Sequence, residues 1–291
     1  MKLAIGTAQF GLPYGVANKS EQMTINEGEL LLNAAKGFGV NTLDTAIAYG
    51  ISEQRLGEIG VANWRIISKL PAVPDLKCCP NKKKWIFEEI NQSINRLKVN
   101  SLYGFLLHRP QQLLEDGGDE IYNGLQQLKA DGLVQKIGIS IYEPSELDAL
   151  YENYKFDIVQ SPFNIFDRRL LSSGWLSKLH KDNVEVHVRS VFLQGLLLMK
   201  QEEIPSKFNR WSFIFDSWYK FLDDQHVSSL EACLKYTLSF SEISNVIVGL
   251  DNLAQLHQVI EASKSLTTLL PNDFEINDID LINPTRWPKL T

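Results

Sequence analysis

Residues 102–140 carry the repeating unit of the fold and read LYGFLLHRPQQLLEDGGDEIYNGLQQLKADGLVQKIGIS. The apolar runs Leu102–Leu107 and Val134–Ser140 have the length of buried strands. Between them, Asp119–Ala130 has apolar residues at helical spacing, and Gly132 ends that helix. A strand, a helix and a second strand in this order predict two parallel strands joined by a crossover helix.

The same unit recurs along the whole chain. Short apolar runs predict eight strands, at Lys2–Thr7, Val40–Asp44, Arg65–Lys69, Leu102–Leu107, Val134–Ser140, Phe156–Gln160, Val184–Val188 and Asn245–Val248. Helical patterns separate them, and a last helix, Leu253–Ala262, follows the eighth strand. Eight such units in 291 residues favour an α/β fold, a (β/α)8 TIM barrel, over an open doubly wound sheet. We therefore predict one domain, residues 1–291, with its barrel core at about 3–264.

Three helix predictions rest on local patterns. Thr24 opens a capping box at the start of the first helix. A long amphipathic helix is predicted at Pro80–Leu97, where the run Lys82–Lys84 is interpreted as a solvated face. A further helix is predicted at Glu143–Tyr151, because Pro144 suits a first helical turn.

Two stretches are predicted to be additions to the barrel. Residues 195–225 form an aromatic-rich, irregular insert after the seventh strand, and residues 265–291 form a C-terminal tail. Either one could cap the active site or form an interface, so a monomer and a homo-oligomer both stay open. The aromatic residues Trp211, Phe215 and Trp218 of the insert are interpreted as loop packing, with a substrate-pocket lining as the alternative.

Composition and charge exclude several classes of protein. The chain has 29 Lys and Arg against 35 Asp and Glu, a net charge of −6, which argues against a nucleic-acid binder. No run approaches the roughly 20 apolar residues of a membrane span, and the N-terminus lacks a signal-peptide pattern. Three cysteines, of which Cys78 and Cys79 are adjacent, make no disulfide framework. We expect a cytoplasmic protein without nucleic-acid or membrane partners.

Four polar side chains follow three consecutive predicted strands. Asp44 and Tyr49 follow the second strand, Lys69 ends the third, and His108 follows the fourth. In a barrel, these strand ends meet at the face that carries the chemistry. Taken singly, each residue is more simply an ion-pair, packing or loop-capping residue, but their joint occurrence at three successive strand ends favours a catalytic site.

The chemistry of these four residues suits the reduction of a carbonyl group. A Lys ammonium stabilises a phenolate, so Lys69 is expected to lower the pKa of Tyr49 and make it a general acid. Asp44 would compensate the charge of Lys69. His108 would donate a hydrogen bond to the carbonyl oxygen while a cofactor supplies the hydride.

The segment around Asp44 and Tyr49, DTAIAYGISEQRLG at residues 44–57, resembles the signature of the aldo-keto reductase family. Further segments follow in the family's order: GTAQFG at 6–11, ISK at 67–69, LHRP at 107–110, IGIS at 137–140, QSPFN at 160–164, QGLL at 194–197 and VIVG at 246–249. The resemblance covers roughly residues 3–264. It implies a catalytic tetrad of Asp44, Tyr49, Lys69 and His108 with Tyr49 as proton donor. It also implies a nicotinamide dinucleotide cofactor, a small-molecule carbonyl substrate and no metal.

The resemblance also points to cofactor-binding residues after the fifth, sixth and seventh strands. Ser140 and Gln160 match the positions that hold the nicotinamide carboxamide, although Ile141 stands where the family usually has Asn. Arg189, followed by Ser190, stands where many members place an aromatic residue that stacks on the nicotinamide. A guanidinium can stack on a flat ring or contact a phosphate or carboxylate. The loop that contains Gln194 and Gly195 is expected to cover the pyrophosphate with backbone N–H groups.

The turn after the eighth strand is the expected site of the adenine half of the cofactor. A helix N-terminus at this place of a barrel is a ready anion site. The four residues predicted to bind there are Gly249, Asp251, Asn252 and Gln255. Family members that prefer the 2′-phosphorylated cofactor usually carry Lys or Arg in this turn, whereas Asp251 would accept from a ribose hydroxyl or simply cap the helix. The resemblance favours NADPH, with NADH as the alternative.

The sequence leaves the substrate and two other functions open. An aldehyde, a ketone or the apolar face of a sugar would each suit a pocket with aromatic walls, and Tyr14, Trp85 and Arg109 are candidate contacts. The first alternative is a cofactor-binding regulatory protein with little turnover. The second is a barrel lyase or isomerase in which Lys69 forms a Schiff base.

Overall fold

Eight parallel strands form a closed barrel in a computed structural model that describes residues 1–13, 22–74, 81–264 and 274–290. The strands are β1 Leu3–Gly6, β2 Thr42–Asp44, β3 Arg65–Leu70, β4 Leu102–Leu107, β5 Val134–Ser140, β6 Ile158–Pro162, β7 Glu185–Arg189 and β8 Ile243–Gly249. Each strand pairs in parallel with its neighbour in sequence, and β1 pairs with β8 from Leu3 opposite Val246 to Gly6 opposite Gly249. This closure confirms the predicted (β/α)8 barrel and excludes the open sheet.

Helices lie between the strands, as the alternating pattern predicts. They are α1 Ile25–Gly37, α2 Ser52–Ile59, α3 Lys82–Leu97, α4 Gly118–Ala130, α5 Glu146–Asn153, α6 Arg169–Ser172, α7 Trp175–Lys181, α8 Ser212–Gln225, α9 Ser229–Leu238, α10 Leu253–Lys264 and α11 Ile279–Ile282. Short 3₁₀ helices occur at Ala8–Phe10, Pro110–Leu114, Leu193–Leu198, Gln201–Glu203, Ser206–Trp211 and Pro284–Lys289. Within the described ranges, none of these helices combines the length and the apolar composition that a membrane-spanning helix requires.

Capping explains where α1 and α5 begin. The Thr24 hydroxyl accepts from the Glu27 backbone N–H, and the Glu27 carboxylate accepts from the Thr24 N–H, so the predicted capping box is present. Helix α5 begins at Glu146 and not at Glu143 as predicted. The Glu146 carboxylate accepts the backbone N–H groups of Tyr142 and Glu143, which holds these residues in a turn before the helix.

The run Lys82–Lys84 is only partly solvated, in contrast to the prediction. Lys82 is buried at the start of α3, and its ammonium donates to the backbone carbonyl of Asp116 at 2.7 Å. Lys84 lies on the exposed face, near Glu88. Of the three lysines, Lys82 therefore links α3 to the loop before α4. The adjacent cysteines Cys78 and Cys79 lie outside the described residues.

An apolar layer inside the barrel supports a polar layer above it. Ile67, Leu106 and Ile158 pack against one another as a buried cluster that is separate from the larger core beneath the helices. Side chains of a strand alternate between its two faces, so a residue two positions further on points to the same side. Two positions after these three apolar residues stand Lys69, His108 and Gln160. The strand period thus places three polar groups in one layer at the carboxyl end of the barrel.

The insert after β7 is ordered and helical, which corrects the prediction that it is irregular. It consists of short 3₁₀ helices followed by the fourteen-residue helix α8. Trp211, Phe215 and Trp218 are all buried, and Trp218 meets Phe166 and Phe274 edge to face, at 5.9 and 5.8 Å between ring centroids. The aromatic stripe therefore packs the insert against the barrel and the C-terminal tail, the first of the two interpretations above.

Candidate active site

The buried ion pair between Lys69 and Asp44 is the centre of the candidate site. The Lys69 ammonium donates to Asp44 Oδ1 at 2.6 Å and to the backbone carbonyl of Thr45 at 2.8 Å. Lys69 is fully buried, and the Asp44 side chain is 6% exposed. A buried charge is costly unless it is paired and hydrogen-bonded. The hydrogen bonds to Asp44 and Thr45 therefore offset the cost of burying this lysine near the carboxyl end of β3.

Tyr49 lies directly above this pair, in the loop that follows β2. The Tyr49 backbone N–H donates to Ala46, which closes a turn. The Lys69 ammonium lies 5.2 Å from the centroid of the Tyr49 ring, and the His108 ring meets the Tyr49 ring edge to face at 6.0 Å. A Cβ on Gly11 would lie 1.8 Å from the Tyr49 carbonyl oxygen, so only glycine allows the loop after β1 to approach here.

The pKa of Tyr49 is raised, whereas the sequence analysis expected Lys69 to lower it. Burial makes the largest contribution, and the negative charge of Asp44 adds to it. Arg189 acts in the opposite direction without reversing the effect. The ion pair explains the difference, because Asp44 lies against the ammonium whose charge was expected to favour the phenolate. Tyr49 therefore keeps its proton throughout the neutral pH range.

His108 is held in its neutral form. Burial lowers the pKa of His108 to about 4, and the positive charges of Lys69 and Arg189 act in the same direction. A neutral imidazole has one N–H donor and one acceptor nitrogen. At neutral pH His108 can therefore donate one hydrogen bond without introducing a second positive charge beside Lys69.

Ser140 and Gln160 belong to the same hydrogen-bond network as Asp44. The Gln160 amide donates to Asp44 Oδ2 at 2.6 Å, and the Ser140 hydroxyl donates to Gln160 Oε1 at 3.3 Å. Both residues are almost completely buried. Asp44 thus has one oxygen on Lys69 and the other on Gln160, which defines the orientation of its carboxylate. The two predicted carboxamide-binding residues lie next to the predicted catalytic residues and behind the surface of the cleft.

A cleft of about 440 Å³ starts at Tyr49 and Asp44 and extends along the ends of β7, β8 and β1. Seven of the ten predicted cofactor-binding residues line it: Arg189, Ser190, Gln194, Gly195, Gly249, Asp251 and Gln255. Asn252 does not line the cleft, because its side chain accepts the backbone N–H of Gln255 and caps α10. Sequence reasoning missed Gln9, which stands three residues after the end of β1, lines the cleft and has its side-chain amide against Gly249.

The loop that follows β7 has a strained backbone beside this cleft. Ser190, Leu193 and Gln194 have φ values of 61°, 48° and 53°, in the left-handed region that favours glycine. The Asn164 amide donates to the Ser190 carbonyl at 3.0 Å and helps to hold this conformation. The backbone N–H groups of Leu193 and Gly195 donate within the loop, so these two are already engaged. The expected pyrophosphate contacts must therefore come from other groups of the loop.

Arg189 stacks on an aromatic ring of the protein itself. Its guanidinium lies 4.7 Å from the centroid of Tyr142, and it donates to the Ile141 carbonyl at 3.0 Å. The stack joins the end of β7 to the loop after β5. Tyr142 was not among the predicted site residues, and its neighbour in the stack is 47 positions away in sequence. The contact depends on the closure of the barrel and has no local sequence signal.

The far end of the cleft carries a carboxylate instead of a cation. The Gln255 amide donates to Asp251 Oδ2 at 3.2 Å, and the Asp251 backbone N–H donates to Gln255 Oε1 at 2.8 Å. Asp251 Oδ1 is buried and has no hydrogen-bond partner within the described residues. Among those residues, Arg189 is the one cation that lines the cleft, and it lies at the opposite end. A ligand with a hydroxyl group at this place would satisfy the buried oxygen.

The remaining candidate residues lie away from this cleft. Arg109 is exposed and pairs with Glu115 at 3.3 Å. Trp85 is partly buried and packs on the core from α3. Tyr14 lies outside the described residues. No group of three or more metal-binding side chains occurs within the described part of the chain.

Comparisons with known proteins agree with this architecture. Uncharacterized oxidoreductase YqkF of Bacillus subtilis (strain 168) is 25% identical over 259 residues, which cover 82% of this chain and 83% of that protein. The aldo-keto reductase AKR11C1 from Bacillus halodurans, in its holo form, superposes with a TM-score of 0.73 at 20% identity, covering 92% of this chain and 88% of that one. The glycerol dehydrogenase AKR11B4 from Gluconobacter oxydans superposes with a TM-score of 0.70 at 22% identity, covering 94% and 88%.

The fold and the family model together define the class of protein. The Aldo/keto reductase family model matches residues 2–280, and the chain belongs to this family. It is thus related to oxidoreductases that use nicotinamide cofactors. The resemblance inferred from the segment at residues 44–57 is confirmed.

Proposed function

We propose that this protein reduces an aldehyde or ketone with a nicotinamide dinucleotide, and that Tyr49 donates the proton. The observation that carries the proposal is the buried Lys69–Asp44 pair beneath Tyr49, at one end of a cleft that leads to Asp251. This arrangement supplies a proton donor, a positive charge and a neutral hydrogen-bond donor at one point. Membership of the aldo/keto reductase family supports the same reaction.

Each side chain has a defined part in the proposed mechanism. The cofactor, when bound, supplies the hydride. Tyr49 gives its phenolic proton to the carbonyl oxygen as negative charge develops there. His108, which is neutral, donates a hydrogen bond that orients this oxygen. Lys69 stabilises the phenolate that Tyr49 leaves behind, since its ammonium lies 5.2 Å from the ring.

The charge of the cleft supports NADH as the cofactor, although the family resemblance favours NADPH. Asp251 and Gln255 would bind the ribose hydroxyls, with the unpartnered Asp251 Oδ1 as a hydroxyl acceptor. A 2′-phosphate near this carboxylate would be repelled, and no Lys or Arg of the described residues lines that end of the cleft. NADPH is the alternative outcome of the experiment below.

Fluorescence titration of the purified protein with NADH and NADPH tests the cofactor. We expect NADH to bind more tightly, and Asp251→Arg to reverse the preference by removing a negative charge and adding a positive one. Asp251→Asn is the matched control, because it removes the charge without supplying a cation, and it should reduce discrimination without reversing it. Tighter NADPH binding by the unchanged protein would contradict the role of Asp251.

The two alternative functions give different outcomes. A regulatory cofactor-binding protein would bind NADH or NADPH but would fail to oxidise it with any member of a broad aldehyde panel. A Schiff-base enzyme would form a borohydride-trapped adduct at Lys69 and would need no nicotinamide. The contacts of Lys69 count against the Schiff-base alternative, because its ammonium already donates to Asp44 and to Thr45. If the protein binds neither dinucleotide, the reductase proposal fails.

A further inference from the structure

A second cavity, of about 730 Å³, lies beside the cofactor cleft. The stacked pair Arg189 and Tyr142 separates the two, because Arg189 lines the cleft and Tyr142 lines the second cavity. Arg189 lines the same cleft as Tyr49, so the pair borders the space that the candidate catalytic residues face. A molecule whose reacting end contacts Tyr49 would have to pass this pair to reach the second cavity.

Packing and hydrogen bonds hold the walls of the cavity in place. The turn after β5 forms one wall, and Glu146 fixes it by accepting two backbone N–H groups, at 2.7 and 2.8 Å. The insert and the C-terminal tail form the other wall. The Trp211 indole donates to Asp278 at 2.9 Å, and the Trp287 ring packs edge to face on Phe208 at 5.0 Å. The cavity therefore exists only because the tail docks on the insert.

Positive charge predominates on the wall formed by the insert and the tail. Its charged side chains are Lys207, Arg210, Asp280, Arg286 and Lys289. Arg210 and Arg286 share the single carboxylate of Asp280, at 2.8 and 3.2 Å. Lys207 and Lys289 have no carboxylate partner within the described ranges.

The acidic side chains of the opposite wall are already engaged. Glu143 lies 3.9 Å from Arg169, and Glu146 is occupied by the backbone groups of its own turn and by Gln111. Neither glutamate forms an ion pair with the two lysines within the described residues, and the cavity is lined by four cations and three carboxylates, which leaves a net positive charge. Lys207 is also restrained, since its ammonium lies 5.3 and 5.9 Å from the ring centroids of Phe208 and Trp287. A restrained cation loses less conformational freedom when it binds an anion.

We propose that this cavity binds an anionic group, a carboxylate or a phosphate, at the end of the substrate remote from the carbonyl. Lys207 and Lys289 are its main counter-charges, and Arg210 and Arg286 add to the positive field. The inference rests on the proposed carbonyl reduction, because it places the anion relative to a carbonyl at Tyr49. It assigns the substrate to the class of anionic aldehydes or ketones, which the catalytic residues alone do not specify.

Matched aldehydes that differ in charge test this proposal. The probes are 4-carboxybenzaldehyde, its neutral methyl ester and 4-formylphenyl phosphate, each with the preferred cofactor. We expect the unchanged protein to have a lower KM for the two anions than for the ester. The double variant Lys207→Gln/Lys289→Gln should lower the ratio of kcat/KM for anion to ester by at least about fivefold, because two counter-charges are lost. The better of the two anions identifies carboxylate or phosphate as the preferred group.

Salt and a surface control distinguish a binding site from a general charge effect. The double variant Lys84→Gln/Lys264→Gln removes two exposed cations, 72% and 57% accessible, and should keep the original ratio. Raising the salt concentration should reduce the anion preference of the unchanged protein more than that of Lys207→Gln/Lys289→Gln. Equal losses in the two double variants, or no preference for anions in the unchanged protein, would overturn the proposal.

Direct binding separates this inference from the proposed reaction. Terephthalate, which has no aldehyde, is titrated calorimetrically into the protein and into both double variants. If terephthalate binds and the binding is lost in Lys207→Gln/Lys289→Gln alone, the anion site stands even if no aldehyde is reduced. If neutral aldehydes are reduced but terephthalate does not bind, the reaction stands and the anion site is wrong.

Discussion

At the scale of single residues, the groups around Tyr49 have opposing effects on its phenolic proton. Burial and Asp44 raise its pKa, while the Lys69 ammonium lies 5.2 Å from its ring. Asp44 is itself restrained, since Lys69 and Gln160 each donate to one of its oxygens. The result is a phenol that stays protonated at neutral pH and has a cation nearby when the proton leaves. These are the properties that a general acid for an alkoxide product needs.

Replacing Tyr49 by Phe should therefore remove the proton donor with little change in shape. We expect kcat for aldehyde reduction to fall by about 10²- to 10⁴-fold, the usual contribution of a positioned acid. The Kd of the dinucleotide should change far less, because the phenol is needed mainly for the chemical step. Single-turnover reduction followed by cofactor absorbance measures the first quantity, and fluorescence titration measures the second.

Tyr122→Phe is the matched control for this experiment. Its hydroxyl group donates to the Lys155 carbonyl on the exposed side of α4, remote from the cleft. The kcat of Tyr122→Phe should match that of the unchanged protein. A Tyr49→Phe variant with more than a tenth of the original kcat would show that another group donates the proton.

At the scale of elements, the C-terminal tail is held mainly by apolar burial. Trp287 is 2% exposed and packs on Phe208, while its indole donates to the Leu281 carbonyl at 3.0 Å. The ion pairs of Asp280 with Arg210 and Arg286 lie at the surface, where all three side chains are at least 38% exposed. Water and salt screen such surface pairs, so they contribute little to stability.

The two kinds of contact predict very different mutational effects. Trp287→Ala should lower the free energy of unfolding by about 3–5 kcal/mol, because it leaves a large buried cavity. Asp280→Asn should leave it almost unchanged, because only exposed pairs are lost. Urea unfolding of both variants followed by circular dichroism measures the difference. Comparable effects in the two variants would mean that charge and not packing holds the tail.

At the scale of the whole molecule, the two ends of the barrel carry different polar clusters. The candidate active site lies at the carboxyl ends of the strands. Near the opposite end, the Glu185 carboxylate accepts from Tyr103, Lys136 and His187, at 2.6, 2.6 and 3.1 Å. Burial raises the pKa of Glu185, but these hydrogen bonds outweigh it and lower the pKa to about 2. In barrels that end contributes to stability and the other end to chemistry.

The lowered pKa of Glu185 predicts how stability depends on pH. The unfolded chain, with an ordinary Glu pKa of 4.5, binds protons more readily than the folded protein below that pH. The stabilisation is therefore complete above about pH 4.5 and is lost as the pH falls toward 2. Glu185→Gln should lower the free energy of unfolding at pH 7 by about 1–3 kcal/mol and make its decline in acid shallower. Unfolding curves between pH 7 and 3 measure both effects.

Activity and a surface variant complete this test. Glu115→Gln is the control, since that carboxylate is 49% exposed and pairs with Arg109 at 3.3 Å. Glu115→Gln should change neither the free energy of unfolding at pH 7 nor its decline in acid. Glu185→Gln should keep the kcat of the unchanged protein at 25 °C, because it lies away from the cleft. If the free energy of unfolding declines equally in acid for Glu185→Gln and the unchanged protein, Glu185 is not the group that causes the decline.

Local sequence patterns were sufficient to predict the barrel and the cluster of candidate catalytic residues. Strand and helix periods depend on residues a few positions apart, so they can be recognised without knowing what packs where. Parallel strands bring their carboxyl ends to one face, which placed Asp44, Tyr49, Lys69 and His108 together before any distance was known. Boundaries were less accurate where a side chain acts on the backbone, as Glu146 does at the start of α5.

The properties that depend on several distant segments came only from the tertiary structure. The pKa of Tyr49 rises because burial and Asp44 outweigh Arg189, and the balance of such effects depends on distances that the sequence does not contain. Gln160 reaches Asp44 across 116 positions, and Arg189 reaches Tyr142 across the barrel. The second cavity exists only where the insert, the tail and the turn after β5 meet. The sequence alone thus determined the family and predicted the candidate reacting groups, while three-dimensional packing decided the protonation of these groups and the shape of the cavity beside them.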